Sequence, residues 1–373
     1  MERPDPSKKR PLQHRPKGKL SPDIVIGKRD LEILKLVYKH RFLDTQLLLH
    51  LLHTTASGSS VEYRTGSDGK KRPSRYGFGE KALYKRLLVL VRSGHLDRKK
   101  LYDEPFGEGM SSPRAVYGLG SKSAGVLSQA IGASPAEIKD MVQANKVKTP
   151  FLRHALETAR FRVILELACQ RSDGRIRLTF WEQGNDLSDS IAGLDEQGYE
   201  ERYPVRPDAF FGLSVSGRGR SHFFLEWDRG TMPIVASGDR SDIRKKILGY
   251  WHYRKSGKYK KRYFVSDRAD AEVSGLYINR PDRNSIPQLT VLEPIVGYTV
   301  LFIAPGRVEE SGVVSGRLAN ILTALAGLKK IHAGTSLFWF SSPDRFSLSE
   351  PESVFHRAWI TGNPDLGLQS LIE

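Results

Sequence analysis

The stretch "RPDAFFGLSVSGRGRSHFFLEWDRGT", residues 206–231, decides how the second half of the chain folds. Two runs of aromatic and aliphatic residues flank a Gly/Arg/Ser turn, the pattern of two paired β-strands. Side chains alternate along a strand, so Asp208, Phe210 and Gly212 share one face and Ala209, Phe211 and Leu213 the other. On the return strand Phe223, Leu225 and Trp227 form an apolar face, and Glu226 and Asp228 point together to the opposite one. Paired as a hairpin, the strands bring three carboxylates to one side of the sheet. Like charges that close repel unless a cation or protons compensate, which argues for a divalent ion; an all-oxygen ligand set suits Mg²⁺ or Mn²⁺. The competing arrangement is a salt-bridged strand pair with Arg206 or Arg229 as counterions. Alternation turns Arg229 away from Glu226, and Arg206 alone cannot neutralise three acids.

Around this stretch the pattern alternates. "FLRHALETARFRVILELACQR" spaces Leu152, Leu156, Ala159, Val163 and Leu167 as a helical stripe. Strand-like "IRLTFWE" (176–182) follows, then a polar, Gly-containing stretch (183–203), the two strands above, and a helix around 241–255. A continuous apolar strand (298–305), a helix (316–330) and a strand (336–342) complete the order αβββαβαβ, an α/β domain with a mixed sheet. In the helix at 241–255, Ile243, Ile247 and Tyr250 define the inward stripe. At about 100° per residue Lys246 sits on its edge and Lys245 is turned away. Lys246 therefore reaches the sheet, unless its stem merely lies along the core and its ammonium returns to water. The same count puts Glu166 at the edge of the first helix's stripe and Glu157 behind it, so Glu166 is the candidate helix carboxylate for the metal site.

The first half reads differently. Residues 1–27 are rich in Pro, Lys and Arg and cannot bury enough surface to fold, so a disordered basic arm is expected. "RDLEILKLVYKHR" places Leu31, Leu34, Val37, Tyr38 and Arg41 at helical spacing, and "DTQLLLHLLH" repeats the signal. After a polar stretch (54–79) containing the basic "GKKRPSR", "EKALYKRLLVLVRSGHL" carries the stripe Leu83, Leu87, Leu90 and Val91 and ends at Gly94. "LDRKKLYDEPFGEGMSSPRAVYGL" then reads as a two-stranded ribbon. Three helices and a ribbon are the order of a winged helix, whose third helix enters the major groove while the ribbon meets phosphates. Lys81, Lys85 and Arg86 on that helix, and Arg98, Lys99 and Lys100 on the ribbon, are the candidate contacts to double-stranded DNA. The expected organisation is a basic arm (1–27), a winged helix (28–131), a linker (132–150), the α/β domain (151–345) and a C-terminal extension (346–373).

Composition agrees with a polyanionic partner. The 373 residues carry 59 Lys plus Arg against 42 Asp plus Glu, a formal charge of +17. No apolar run approaches the roughly 20 residues of a spanning helix, and the basic N-terminus lacks the apolar core of a signal peptide. A bacterial cytoplasmic protein without membrane contact is expected. One cysteine, Cys169, excludes an internal disulfide and a cysteine-based zinc site, and the ten histidines show no metal spacing.

Pro207-Asp208 on one strand and Glu226-Trp227-Asp228 on the next, 226 − 208 = 18 residues apart, resemble the PD-(D/E)XK nuclease motif. The resemblance implies a restriction-endonuclease-like domain in which Asp208 and Glu226 hold Mg²⁺. It also implies a lysine two residues after the glutamate that helps activate water. Asp228 stands at that position here. Either a lysine arrives from elsewhere, with Lys246 the substitute, or Asp228 is a further metal ligand, or the site is catalytically dead. A longer resemblance covers about residues 28–342: "RDLEILKLVYKHRFLDTQLLLHLL", "FLRHAL", "FWE", "RPDAFFGL", "FFLEWDRGT", "KILGY", "TVLFIAPGR" and "ANILTAL". These are similar to the plasmid replication-relaxation family of mobile bacterial elements. What this implies is a DNA-binding protein of plasmid replication or relaxation, with replication, relaxase or transposition proteins as partners. A Mg²⁺-dependent endonuclease or nickase is the leading expectation. The alternatives are a non-cleaving scaffold with a degenerate nuclease fold and a winged-helix transcriptional regulator.

Overall fold

The computed structural model describes residues 24–57, 63–65, 71–73, 80–101, 113–236, 240–266, 276–278, 292–328, 336–363 and 366–373. Most of the expected basic arm, the tip of the ribbon, and Gly69, Lys70, Ser74 and Arg75 of "GKKRPSR" lie outside the described residues. The chain forms two compact units, one of residues up to Leu52 and from Arg75 to Thr149, the other of Pro150–Glu373 together with residues 53–74.

The first unit opens with α1 (Lys28–His40), β1 (Leu43–Asp44) and α2 (Thr45–Ser57). The short strands β2 (Tyr63–Thr65) and β3 (Lys71–Pro73), which group with the second unit, pair with each other. Then come α3 (Glu80–Arg92), β4 (Leu96–Leu101), β5 (Arg114–Leu119), α4 (Ser123–Ile131) and α5 (Pro135–Ala144). The ribbon β4–β5 is antiparallel, Leu96 opposite Leu119, and β1 pairs with the other edge of β5. Within residues 132–150, the expected linker, the chain forms the helix α5. Ser134 caps α5 by accepting from the Glu137 amide while Glu137 returns the bond, a capping box. Arg41 fastens the helix end, donating to Asn145 Oδ1 at 2.8 Å and to the Ala144 carbonyl.

The buried face of α1 is Asp30, Ile33, Leu34, Val37 and His40; Leu34 and Val37 belong to the expected stripe, while Leu31, Tyr38 and Arg41 are only half-buried. The rotation places a carboxylate inside. Asp30 is 3% exposed, and burying an unpaired charge is costly, so it takes a partner. Arg86 of α3 donates Nε to Asp30 Oδ1 at 2.6 Å and its second nitrogen to Oδ2. Arg86 therefore belongs to an internal fork and is not a free cation on the exposed face of α3. Replacing Arg86 by Ala leaves that acid with only the Gly27 amide and the neighbouring Arg29 charge. Urea unfolding is expected to show about 2 kcal/mol of lost stability, less than for a fully buried pair because Arg86 is partly solvated.

The second unit begins with α6 (Thr149–Arg171), β6 (Ile176–Glu182), β7 (Asp189–Leu194), β8 (Glu200–Val205), β9 (Ala209–Val215) and β10 (Gly219–Trp227). Next are α7 (Ile243–Ser256), α8 (Lys258–Arg262), β11 (Tyr263–Ser266), β12 (Leu276–Ile278), β13 (Leu292–Pro294) and β14 (Thr299–Ile303). The unit ends with β15 (Arg307–Val308), β16 (Val314–Ser315), α9 (Arg317–Ala326), β17 (Phe338–Ser341), β18 (Trp359–Thr361) and β19 (Leu368–Gln369). Its main sheet has the order β19-β18-β17-β14-β10-β9-β6. Strands β10, β14 and β17 are parallel and the other pairs antiparallel, so the α/β class and the mixed sheet are as expected. The C-terminal residues are no separate extension, because β18 and β19 continue the same sheet and Trp359 is fully buried.

The polar stretch 183–203 forms the β7–β8 hairpin. It packs on α7 through a close approach at Gly249, where a Cβ would stand 3.1 Å from the Pro204 carbonyl oxygen. Strands β9 and β10 are central and covered on both faces, which explains why apolar residues occupy both parities instead of one. Phe224 packs on Phe210 and on Tyr250 of α7, and Phe211 packs on Phe223 and on Phe161 of α6. Cys169 is buried in α6, and burial pushes its thiol up to about 12, as a structural thiol requires.

Candidate functional site

The β9–β10 ladder pairs Phe224 with Phe210 and Leu225 with Ala209. Extended by one step it sets Glu226 opposite Asp208, whose amide donates to the Leu225 carbonyl at 2.9 Å. Glu226 is near the carboxyl end of a parallel strand, where ligands enter open α/β sheets. By alternation it points with Phe224 toward α7. That helix starts beside it: Asp242 caps α7 by accepting the Lys245 amide at 2.7 Å. The next residue, Lys246, donates to Glu226 Oε2, and one turn later the Tyr250 hydroxyl donates to Oε1 at 2.5 Å. Lys245 is turned aside and pairs with Glu201 of β8 at 2.6 Å.

Asp208 stands at the entrance of β9, where groups from both layers reach it. The Trp227 amide donates to Oδ2 at 2.7 Å, and His154 Nε2 of α6 lies 2.8 Å from Oδ1. Burial pushes the Asp208 carboxyl up, but His154, Lys246 and the Trp227 amide together hold it below the ordinary range. Burial acts more strongly on Glu226, only 1% exposed; with Asp208 adding to the effect against Lys246 and Tyr250, its pKa is pushed up to about 7. The Tyr250 phenol is raised well above its ordinary value by burial and by Glu226, so it remains a donor. Burial works against the Lys246 charge, yet the two acids raise its pKa and keep it protonated.

Asp228 and Glu166 do not join this pair. Arg317 at the start of α9 donates to Asp228 Oδ2, and the Gly230 amide donates to Oδ1 at 3.0 Å. Glu166 accepts from Arg162, one turn earlier on α6, at 2.8 Å. Among the described residues no group of three or more His, Cys, Asp or Glu side chains gathers as metal ligands, so a four-carboxylate cluster is not formed. The reason is local: each of the two outlying acids has its own arginine. The two-carboxylate set still fits a hard cation. Each of the four oxygens of Asp208 and Glu226 accepts one donor and keeps a second lone pair. Mg²⁺ needs only one or two carboxylates, with water and phosphate completing its shell.

His154 and Arg317 were not among the sequence candidates. Nothing in the spacing of "FLRHAL" points His154 toward a strand 54 residues on. Tyr250 was legible, one turn beyond Lys246 on the same face.

In the first unit Lys81, Lys85 and Lys100 are exposed. The Arg98 guanidinium lies over the Tyr84 ring at 5.9 Å, and Lys99 pairs with Asp97 at 3.1 Å. No described helix is long and apolar enough to cross a membrane. No curated protein and no solved structure matches the chain. The family model described as replication-relaxation matches residues 34–268, more than half of the 373 and spanning Asp208, Glu226 and Lys246, and the chain belongs to the replication-relaxation family.

Proposed function

We propose that this is a DNA-binding protein of plasmid or mobile-element replication whose second unit hydrolyses a DNA phosphodiester with Mg²⁺ or Mn²⁺. The observation that carries the reading is Lys246 on the Glu226 carboxylate with Asp208 alongside. An acid pair and a lysine meet, the lysine coming from α7 in place of the strand position taken by Asp228. Asp208 and Glu226 would hold the ion, which when bound polarises the scissile phosphate and supplies a more acidic water. Lys246 places its ammonium where negative charge develops on the phosphate oxygens. His154 and the Trp227 amide fix the Asp208 carboxylate, and Tyr250 fixes that of Glu226. Arg317 neutralises Asp228, so that acid does not repel the incoming phosphate. A wholly structural role explains the pairing but not why a buried Glu226 should stand beside a half-buried Asp208 and Lys246, an arrangement that costs stability against an apolar core.

Supercoiled, linear and single-stranded DNA incubated with the protein and Mg²⁺ or Mn²⁺ test the reading. Asp208→Ala and Glu226→Ala should abolish metal-dependent cleavage with DNA affinity nearly intact. No cleavage of any DNA form by the unaltered protein would transfer the case to a non-cleaving scaffold. The first unit, as a winged helix, would supply DNA affinity through α3 and the ribbon. Lys81→Ala combined with Lys85→Ala is expected to weaken duplex binding several-fold at fixed salt, and to flatten the salt dependence by about two released counterions. An unchanged salt slope would remove α3 from the interface.

A further inference from the structure

A second concavity of about 750 Å³ lies in the second unit, away from Asp208 and Glu226. It opens at the amino ends of β10, β14 and β17, and Arg220 in its lining is 226 − 220 = 6 residues before Glu226, about 20 Å along the strand. Its volume suits a small organic group. Two tryptophans, Trp251 of α7 and Trp339 of β17, contribute to the lining, both half-buried. Arg254 is held in place: its guanidinium lies over the Tyr259 and Tyr298 rings at 5.3 and 5.6 Å and donates to the Tyr259 hydroxyl at 2.8 Å.

The lining carries Arg220 and Arg254 beside Glu293 and Glu373, the last paired with Arg357 at 3.1 Å. Flat aromatic surface beside a guanidinium held by two tyrosine rings suits a planar heterocycle attached to a phosphate. Lys255 and Lys260, close in sequence to Arg254, are exposed and are available as cations to a connected backbone. A duplex cannot present a base this way, because its bases are stacked and paired. We propose that this cleft takes an unstacked nucleobase, supplied by single-stranded DNA. The proposal stands whether or not Asp208 and Glu226 support cleavage.

The test is fluorescence anisotropy of the full chain with a labelled oligothymidylate and with a duplex of the same length, in chelator and at fixed salt. Trp339→Ala is expected to weaken single-strand binding roughly 5-fold or more, as loss of one base–aromatic stack does, and to leave duplex binding unchanged. Trp339→Phe should restore most of the affinity. Trp251→Ala, on the helix side of the cleft, repeats the test should the strand variant fail to fold. Competition by thymidine monophosphate would show that a free nucleotide enters the same cleft; a stacking loss without such competition assigns the base to a strand. Equal losses on single strand and duplex, or no loss from either tryptophan variant, overturn the proposal.

Discussion

A Lys246→Met variant is expected to bind Mn²⁺ at least as well as the unaltered protein and yet cleave DNA roughly 10²–10³-fold more slowly, the usual cost of removing one preorganised charge from a reacting centre. The first half follows from the hydrogen bonds: Lys246 occupies Glu226 Oε2, and a cation at the same carboxylate competes with the ammonium. Methionine keeps most of the length of the stem and removes the charge. The second half follows because no other lysine donates to Asp208 or Glu226 among the described residues. Calorimetric Mn²⁺ titration beside a cleavage time course at saturating metal separates the two effects. Wild-type cleavage by the methionine variant would relieve Lys246 of any part in the chemistry, and weaker metal binding would make it a support of the ligand set.

The second large effect is on stability against pH, measured in chelator. Folding lifts the Glu226 pKa from its ordinary 4.5 to about 7. Between those values the unfolded chain has released the proton while the folded chain retains it. The folded state then binds more protons, so stability falls as pH rises through this window and levels off above it. The full contribution is present below about pH 4.5, and up to about 3 kcal/mol is lost by pH 8. Glu226→Gln does not titrate there and keeps an acceptor for Tyr250. Urea unfolding of both proteins from pH 4.5 to 8 should show the unaltered protein losing ground to the glutamine variant as pH rises. Parallel curves would mean that Lys246 holds the carboxylate ionised throughout.

Much of the second unit was legible because its elements are short and strongly patterned. Strands β9 and β10, the inward stripe of α7 and the approach of Lys246 to the sheet all follow from alternation and from helical spacing. Charge pairing over long separations was not legible. Asp228 looked like a ligand until Arg317, 89 residues later, claimed it. Arg86 looked like an exposed cation until a small rotation of α1 buried Asp30 beneath it. In both cases a side chain's fate was decided by a partner whose position depends on packing, which local periodicity does not carry. The β7–β8 hairpin was missed for a different reason: its strands are largely polar and half-exposed, so the stretch read only as a polar, Gly-containing segment.

The parallel seam between β10 and β14 bears on how the site comes into being. Phe223 pairs with Thr299, so the strand carrying Glu226 waits for a partner made 299 − 223 = 76 residues later, a closure that is slow because it is non-local. The β9–β10 hairpin and α7 can assemble beforehand, bringing Asp208, Glu226 and Lys246 together on a half-sheet with one bare apolar edge. During synthesis the acid pair would thus be complete before the fold that shelters it, and that edge, rich in phenylalanine, is where a chain stalled before residue 299 would adhere to another.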